Sequence, residues 1–185
     1  MNRTTASGLR ILIAGSGRLG MAAMDPLLES RHEVVGIIQN ARLVSRWKRC
    51  LHLWQCRLMP GYPSPLREAL RRGLPVCWMD TMDEVELESL RALKPDIIIS
   101  CGFGIIFPPS VLDLPRIGCI NVHTALLPKH RGATPCAHVI LDGDSESGVS
   151  IHVTESGIDT GALLAQQRFP VFPDDNSMDV YIASC

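Results

Sequence analysis

Three polar side chains that suit acyl transfer lie close to the ends of apolar or turn segments of this sequence. Asn121 and His123 lie at the end of the apolar run 117–122, and Asp159 follows the turn 155–158. An amide N–H can stabilise a developing oxyanion, an imidazole can accept a proton, and a carboxylate can orient the imidazole. Residues two apart on a strand project from the same face, so we expect Asn121 and His123 to act on one reacting group.

The segments that would position these side chains alternate between strand-like and helix-like patterns. Apolar runs predict strands at 9–14, 34–38, 73–77, 96–100 and 117–122, and helical spacing predicts helices at 18–30 and 82–93. In the first helix, Pro26 predicts a kink or a restart near Asp25. Continuous apolar strands separated by helices are typical of a doubly wound, mostly parallel, Rossmann-like α/β sheet with helices on both faces. Ligands of such sheets bind at the carboxyl ends of the strands, where Asn121 and His123 lie.

The sequence after His123 predicts an antiparallel edge on this sheet. Residues 149–154 alternate between apolar and polar, as a half-exposed strand does, and 161–171 is a second strand that could pair with it. This excursion could return Asp159 to His123. The segment 174–181 has the signature of a helix start. We expect His138 and His152 to be ordinary residues on the faces of their elements, without a chemical role.

A glycine-rich loop raises a rival interpretation. The segment Gly15-Ser16-Gly17-Arg18-Leu19-Gly20 is a complete G-x-G-x-x-G between a predicted strand and a predicted helix, which is the context of a dinucleotide site. Such a site uses an acidic residue at the end of the second strand to bind the ribose, but Gln39 and Asn40 occupy that position. Three interpretations remain open: a tight turn that packs helix against strand, an anion at the helix start, and a nicotinamide cofactor.

The bulk composition bounds the class of protein. A chain of 185 residues with 46% hydrophobic residues suits one domain with a substantial core. The net charge of −1 gives no argument for a nucleic-acid or membrane partner, and no apolar run approaches the roughly 18 residues of a membrane helix. The seven cysteines include no Cys-x-x-Cys pair, so we expect no metal and free thiols in a reducing cytoplasm.

Residues from about 96 to 171 resemble the catalytic domain of the 10-formyltetrahydrofolate-dependent formyltransferases. The matching motifs are Phe103-Gly104-Ile105-Ile106-Phe107-Pro108, Pro115-Arg116-Ile117-Gly118-Cys119-Ile120-Asn121-Val122-His123, Leu126-Leu127-Pro128, Arg131-Gly132-Ala133-Thr134-Pro135, Gly148-Val149-Ser150-Ile151-His152 and Asp159-Thr160-Gly161. The family includes enzymes that formylate methionyl-tRNA, glycinamide ribonucleotide and amino sugars on nucleotides. The Leu-Pro-x-x-Arg-Gly-x-x-Pro and Asp-Thr-Gly motifs resemble those of the methionyl-tRNA and sugar enzymes more than those of the purine enzyme.

The resemblance implies a chemistry that agrees with the three polar side chains. An amine attacks the formyl carbon that N10 of 10-formyltetrahydrofolate bears, and Asn121 donates a hydrogen bond to the formyl oxygen. His123 stabilises that oxygen and manages a proton, while Asp159 tunes His123 and relays the proton that the amine loses. Because the amine attacks as the free base, we expect the rate to rise towards neutral or mildly alkaline pH.

The resemblance also assigns residues to the donor and to the acceptor. The family holds the pterin by backbone groups and apolar walls, which by position are Phe103, Gly104, Ile105, Ile106, Phe107, Glu155, Ser156, Gly157 and Ile158, with Leu126, Leu127 and Pro128 near the formyl group. The candidates for the acceptor are Gly15, Ser16, Gly17, Arg42, Arg46, Arg49 and Arg131. For Arg131 two partners stay open, an anionic acceptor and a carboxylate of this chain.

The segment between Glu33 and Glu68 contains no acidic residue and is the candidate region for recognition of the acceptor. Its basic residues are Arg42, Arg46, Lys48, Arg49, Arg57 and Arg67. Its apolar residues with helical spacing are Leu43, Trp47, Cys50, Leu51, Trp54 and Leu58. One interpretation is an amphipathic helix with its tryptophans in the core and a solvated basic face. The other is a basic surface for a phosphate-bearing acceptor.

We therefore expect residues 1–185 to form a single formyltransferase catalytic domain in the cytoplasm, truncated at its C-terminus and without the further domain of the methionyl-tRNA enzymes. Methionyl-tRNA is the first choice of acceptor, followed by an amino sugar on a nucleotide or another small biosynthetic amine. Water would be the acceptor of a hydrolase with the same three residues. The rivals from other classes are an NAD(P)-binding Rossmann module and a catalytically silent scaffold, and neither explains Asn121, His123 and Asp159 together.

Overall fold

Seven strands form one sheet in the computed structural model, which describes residues 8–43, 45, 48–58, 64–80 and 83–185. In chain order the strands are β1 (Arg10–Gly15), β2 (Glu33–Asn40), β3 (Val76–Met79), β4 (Ile97–Cys101), β5 (Gly118–His123), β6 (Glu146–Val153) and β7 (Leu163–Pro170). The spatial order is β3-β2-β1-β4-β5-β6-β7. The first five strands are parallel, whereas β6 is antiparallel to β5 and β7 is antiparallel to β6. The predicted mostly parallel sheet with an antiparallel edge is confirmed.

The helices of the described residues are α1 (Gly17–Leu28), α2 (Arg49–Leu58), α3 (Pro65–Arg72), α4 (Glu84–Ala92), α5 (Pro109–Leu112), α6 (Pro135–Leu141) and α7 (Ser177–Ala183). Helix α1 continues through Pro26, so the predicted restart near Asp25 is wrong. Pro26 is exposed near the end of α1, where solvent can satisfy the carbonyl that loses its backbone donor. None of these described helices combines the length and the apolar character needed to cross a bilayer.

Alternation along the central strands places apolar side chains on both faces of the sheet. Ile11 and Ile13 of β1 belong to one buried cluster, together with residues of α1 and α3 such as Met24. Leu12 belongs to a second buried cluster, together with residues of α4 and α5 such as Leu90. Because β1 is covered on both faces, its sequence is almost continuously apolar. The polar residues that follow the parallel strands are therefore held at the carboxyl ends of a rigid sheet.

The antiparallel pairing of β5 with β6 sets the surroundings of the predicted catalytic residues. Asn121 lies opposite His152, and His123 lies opposite Ser150. Both partners on β6 are fully buried. Strand β6 pairs in turn with β7, as the sequence predicts. The connection between β6 and β7 contains Asp159, and it returns this residue to the end of β5.

Helix α2 turns a different face to the core than the sequence pattern predicts. Leu53 packs against the core, whereas Leu51 and Trp54 are 49% and 61% exposed. The prediction that the tryptophans of this segment lie in the core is therefore wrong for Trp54, and Trp47 lies outside the described residues. Leu43 lies in a separate turn of 3₁₀ helix, Ala41–Leu43, and is not part of α2.

Candidate active site

A cavity of about 550 Å³ lies at the carboxyl ends of β4 and β5. Its lining comes from Leu19 and from within the segments 100–107, 121–124, 132–135 and 152–159. The loop after β4 contributes Phe103, Ile105, Ile106 and Phe107, so most of the surface on this side is apolar. On the sheet side, the polar ends of β5 and β6 face the same space. The cavity thus combines apolar walls with a small polar cluster.

Asn121, His123 and Asp159 all line this cavity, and Asp159 lies within interaction distance of the other two. Asp159 Oδ2 lies 3.5 Å from His123 Nδ1, and Asn121 Nδ2 donates to Asp159 Oδ1 at 3.3 Å. The main-chain N–H of Gly132 donates to Asp159 Oδ2 at 2.8 Å. The backbone of Asp159 is left-handed with φ 50°, a conformation that aspartate adopts more readily than most residues. The structure therefore brings together three residues that the sequence separates.

A main-chain carbonyl determines where the hydrogen lies on the His123 ring. His123 Nε2 lies 2.9 Å from the carbonyl oxygen of His130, and a carbonyl only accepts, so Nε2 bears the hydrogen. In the neutral ring Nδ1 then has the lone pair, and Nδ1 is the atom that faces Asp159. Burial lowers the pKa of His123 below its usual value, while Asp159 and the His130 carbonyl oppose part of this shift. At neutral pH the ring is therefore an uncharged base beside a carboxylate.

His152 belongs to this cluster, although we expected it to be an ordinary face residue. It lines the cavity, and its Nε2 lies 3.1 Å from Asn121 Nδ2 and 3.3 Å from Asp159 Oδ1. Its Nδ1 lies 2.7 Å from the carbonyl oxygen of Val153, so Nδ1 bears the hydrogen and Nε2 accepts from the Asn121 amide. The available signal in the sequence is a polar residue at an inward position of an alternating strand.

Most of the residues predicted to hold the donor lie in the cavity wall. Eight of the twelve line the cavity: Phe103, Gly104, Ile105, Ile106, Phe107, Glu155, Gly157 and Ile158. Ser156 belongs to the same turn but not to the lining. Leu126, Leu127 and Pro128, which are predicted to lie near the formyl group, line a second cavity of about 420 Å³ and not this one. The main-chain N–H of Leu127 donates to Ser150 Oγ at 3.0 Å, and its carbonyl accepts from Gln166, so this segment is tied to β6 and β7.

The glycine-rich loop has internal partners at the start of α1. Ser16 Oγ donates to the carbonyl of Gly102 at 2.7 Å, and the main-chain N–H of Leu19 donates to the Tyr181 hydroxyl at 3.3 Å. The Tyr181 hydroxyl therefore occupies one of the N–H groups that an anion at this helix start would use. Three residues of the loop predicted to bind the acceptor lie outside the cavity lining, namely Gly15, Ser16 and Gly17.

The amides at the end of β2 also have main-chain partners. Asn40 Nδ2 donates to the carbonyl of Phe103, and Gln39 Nε2 donates to the carbonyl of Gly15, both at 3.4 Å. Asn40 Oδ1 accepts from the main-chain N–H of Arg42 at 3.0 Å. These side chains thus bind the main chain at the ends of β1 and β4. In a dinucleotide site, an acidic residue at this position of β2 would bind the ribose. The nicotinamide interpretation therefore lacks its usual ribose contact.

The predicted acceptor arginines do not line the cavity in the described part of the chain. Arg42 and Arg131 are exposed, and Arg131 directly precedes a lining residue. Arg49 lies 3.8 Å from Asp80, so part of its charge is already paired. Arg46 lies outside the described residues. The structure thus leaves Arg42 and Arg131 as exposed cations on the surface.

The arrangement in the cavity suits addition of a nucleophile to a carbonyl carbon. A neutral imidazole can accept a proton, the neighbouring carboxylate can stabilise the imidazolium, and an amide N–H can stabilise an oxyanion. Among the residues that the structure describes, no group of three or more His, Cys, Asp and Glu side chains is placed to hold a metal ion. The imidazole, the carboxylate and the amide that line the cavity are side chains of the kind used in general acid–base and electrostatic catalysis.

Sequence comparison gives one family and several named relatives. A family model described as "Formyl transferase" matches residues 9–183. The chain is 37% identical over 174 residues to a methionyl-tRNA formyltransferase of Legionella pneumophila (strain Corby), covering 92% of this chain and 52% of the relative. It is 37% identical over 170 residues to a methionyl-tRNA formyltransferase of Pseudomonas fluorescens (strain SBW25), covering 90% and 50%. The chain thus spans about half the length of the curated relatives it matches.

Solved structures with the same fold are more distant in sequence. A glycinamide ribonucleotide transformylase 1 from Symbiobacterium toebii superimposes with a TM-score of 0.75 at 22% identity, covering 99% of this chain and 84% of the other. An N-formyltransferase from Helicobacter canadensis, in complex with folinic acid and dTDP-3-aminofucose, has a TM-score of 0.69 at 23% identity, covering 95% and 58%. At these identities the similarity establishes the fold.

Proposed function

The chain belongs to the formyl transferase family, and from this premise we propose that it transfers a formyl group from 10-formyltetrahydrofolate to a primary amine. The observation that supports the proposal most is the cluster of Asn121, His123 and Asp159 in one apolar-walled cavity. Folds of this type support many different reactions, so the function is inferred from the residues of the site and not from the sheet. The named relatives, which are methionyl-tRNA formyltransferases, support the same reaction class.

The cavity has the size and the surface that a folate donor needs. Its volume of about 550 Å³ falls within the range of ordinary ligand pockets, roughly 300–1,000 Å³. Ile106 and Ile158 line it and are 63% and 53% exposed, so a flat apolar ring can cover them. Main-chain groups of Gly104 and Gly157 lie in the same walls and can serve the polar edge of a pterin. The solved relative that contains folinic acid supports this assignment.

Asn121 would stabilise the negative charge that grows on the formyl oxygen during attack. Its amide donates one N–H to His152 Nε2 at 3.1 Å and the other to Asp159 Oδ1 at 3.3 Å. The longer bond is the weaker one, so this is the N–H that the oxyanion can take over from Asp159 without rotation of the amide. His152 then keeps the amide plane in place while the reaction proceeds.

His123 would accept the proton that the attacking amine loses. Its Nδ1 has the lone pair in the neutral ring, and Asp159 stabilises the imidazolium once that proton has been taken up. As the new carbon–nitrogen bond forms and the bond from the formyl carbon to N10 breaks, His123 returns the proton to N10. One proton moves from the amine to the leaving nitrogen, so the enzyme ends the cycle in its starting state.

Methionyl-tRNA is the acceptor that we propose first. The relatives with this name are 37% identical, whereas the solved purine and sugar enzymes are 22% and 23% identical. The exposed Arg42 and Arg131 are available for the phosphates of a nucleic acid. A nucleotide that bears an amino sugar has phosphates as well and is the second candidate, supported by the solved complex with such a ligand.

The domain and the location follow from the same proposal. The family match spans residues 9–183, and we assign the chain to one formyltransferase catalytic domain. All seven cysteines are free thiols in the structure, which fits a reducing cytoplasm. The alternative of an NAD(P)-binding module has no support from Gln39 and Asn40, whose amides bind main-chain carbonyls.

A transfer assay with matched acceptors tests this function. The purified protein is incubated with 10-formyltetrahydrofolate, and release of tetrahydrofolate is measured with methionyl-tRNA, with a nucleotide amino sugar and with buffer alone. We expect tetrahydrofolate to be released together with formylated methionyl-tRNA. Release in buffer alone would identify a hydrolase, and no release under any condition would contradict formyl transfer.

A further inference from the structure

The carbonyl that binds His123 belongs to a residue with an unusual backbone. His130 has φ 53°, in the left-handed region that is costly for a residue with a Cβ. This conformation accompanies a carbonyl oxygen that accepts from His123 Nε2 at 2.9 Å. Such a strained residue persists only where its surroundings hold it in place.

The side chain of His130 supplies that hold. Its Nε2 lies 2.7 Å from Asp144 Oδ2, and the ring is 8% exposed. Asp144 also accepts from Lys129 Nζ at 3.0 Å, which keeps the carboxylate turned towards the segment 127–130. These contacts lower the pKa of Asp144, the His130 bond being the larger cause. Asp142 is a weaker neighbour, with its Oδ2 at 3.6 Å from His130 Nδ1 and its side chain 62% exposed.

The position of Asp144 links this contact to the framework of the site. Asp144 lies in the connection between α6 and β6, and β6 contributes His152 to the cavity. The rings of His130 and His138 of α6 are also stacked, with centroids 6.4 Å apart. The second cavity, of about 420 Å³, contains both His130 and Asp144 in its lining. The His130 side chain thus faces away from the reaction, while its carbonyl faces the catalytic ring.

We propose that His130 and Asp144 are positioning residues that fix the Nε2–H form of His123. Without this carbonyl, a neutral His123 would gain by placing its hydrogen on Nδ1, where the carboxylate of Asp159 could accept it. The lone pair would then lie on Nε2, away from Asp159, and the ring could no longer take a proton beside the carboxylate. This inference rests on the proposed function for its catalytic meaning, but the form of the ring is a property of the protein alone.

Nitrogen-15 NMR of the histidine rings tests the proposal without any turnover. The His123 signals are assigned by comparison with His123→Gln, and the spectra are recorded above the midpoint of the His123 titration. In the wild type we expect a protonated Nε2 and an unprotonated Nδ1. In Asp144→Ala we expect a mixture of the two neutral forms, whereas the control Asp142→Ala should give the wild-type spectrum. An unchanged Nε2–H form in Asp144→Ala would overturn the proposal.

A second variant separates this result from a general loss of structure. His130→Phe keeps a ring of similar size and the main-chain carbonyl but loses the bond to Asp144, so it should also give mixed forms. Circular dichroism and binding of 5-formyltetrahydrofolate confirm that each variant is folded, and only folded variants are compared. Asp144→Asn retains an acceptor for His130 and should restore the wild-type form. Mixed forms in the folded variants support the proposal, and a wild-type spectrum in either folded variant contradicts it.

Kinetics then connect the ring to the reaction. In folded Asp144→Ala and His130→Phe we expect kcat to fall about tenfold, with the donor KM unchanged, because the base is present in the wrong form for part of the time. A change in KM alone would contradict a positioning role. If the wild type shows no formyl transfer to any acceptor, the proposed function fails, while the NMR result still decides the positioning of His123.

Discussion

Asn121 and His152 lie opposite each other across the antiparallel pair β5–β6, with Asn121 Nδ2 3.1 Å from His152 Nε2. Since Nδ1 of His152 donates to the carbonyl of Val153, Nε2 is an acceptor that fixes one N–H of the Asn121 amide. The second N–H is directed to Asp159 Oδ1, at 3.3 Å. The orientation of the amide is therefore set by the strand register, before any substrate binds.

Replacing His152 tests this orientation. We expect His152→Leu to lower kcat by about tenfold or more, because a partly buried amide N–H loses its acceptor and the Asn121 side chain is free to turn. His152→Gln offers an acceptor of similar reach and should stay within a few-fold of the wild type. Thermal unfolding shows whether each variant is folded at the assay temperature. Equal activities of folded His152→Leu and His152→Gln would contradict the assigned contact.

Removal of the His123 ring should abolish most of the activity. We expect His123→Ala to lower kcat by about 10²–10⁴-fold, the range typical of a general base, while the fold persists. The matched control is His32→Gln, since His32 precedes β2 at the amino ends of the strands, does not line the cavity and accepts the N–H of Leu9 at Nδ1. A turnover of His123→Ala close to that of the wild type would show that another group accepts the proton.

Asp159→Asn should lose most of the activity and change the titration of His123. Burial lowers the pKa of His123, and the charge of Asp159 raises it in part, so loss of that charge should lower this pKa further. An NMR titration should place the wild-type midpoint below the usual 6.5 and the Asp159→Asn midpoint lower still. Because the pKa of His123 is lower in the folded state than in the unfolded state, His123 should stabilise the fold above its unfolded pKa. This stabilisation should be lost as pH falls through its folded pKa. A higher midpoint in Asp159→Asn would refute the pairing.

The exposed apolar walls of the cavity should contribute to donor binding. We expect Ile106→Ser to raise the Kd for 5-formyltetrahydrofolate by about tenfold, corresponding to roughly 1.4 kcal/mol of lost burial. The unfolding temperature should change little, because Ile106 is 63% exposed in the absence of ligand. Leu141→Ser makes a similar change at a residue that is 78% exposed and outside the cavity, and it should leave Kd unchanged. Equal effects of the two variants would argue against this wall.

An ion pair on α3 should make stability depend on pH. Bonds from Arg71 and Arg72 lower the pKa of Glu68 from 4.5 to about 2. Because the folded pKa is the lower one, the stabilisation is complete above about pH 4.5 and is lost as pH falls towards 2. We expect Glu68→Gln to cost about 1 kcal/mol in urea unfolding at pH 7 and less at pH 3. The exposed Glu88→Gln should cost almost nothing at either pH.

The sheet could be predicted because its strands have a simple pattern. Strands such as β1 and β4 are buried on both faces and are therefore continuously apolar, and Pro or Gly residues mark their ends. Residues at the carboxyl ends of parallel strands lie at the same end of the sheet. Asn121 and His123 could therefore be assigned to one site. The predicted strands and the antiparallel edge are confirmed by the structure.

Contacts that depend on register and loop conformation could not be predicted from the sequence. His152 enters the site because β6 pairs with β5 in one particular register, and a shift by one residue would turn it to the other face. Leu127 lies outside the cavity because its main chain binds Ser150 and Gln166, partners distant in sequence. Trp54 is exposed because α2 packs against the core through Leu53 and Cys56, which lie on a different face of the helix. Each of these outcomes depends on tertiary contacts rather than on local pattern.

Calorimetric titration of the purified protein with 5-formyltetrahydrofolate, with NADH and NADPH as parallel titrants, tests whether the cavity is a folate site. The cavity beside Asn121, His123 and Asp159 predicts one folate site per chain and no binding of either nicotinamide. Binding of NADH or NADPH without binding of the folate would contradict the account and would transfer the functional site to the glycine-rich loop.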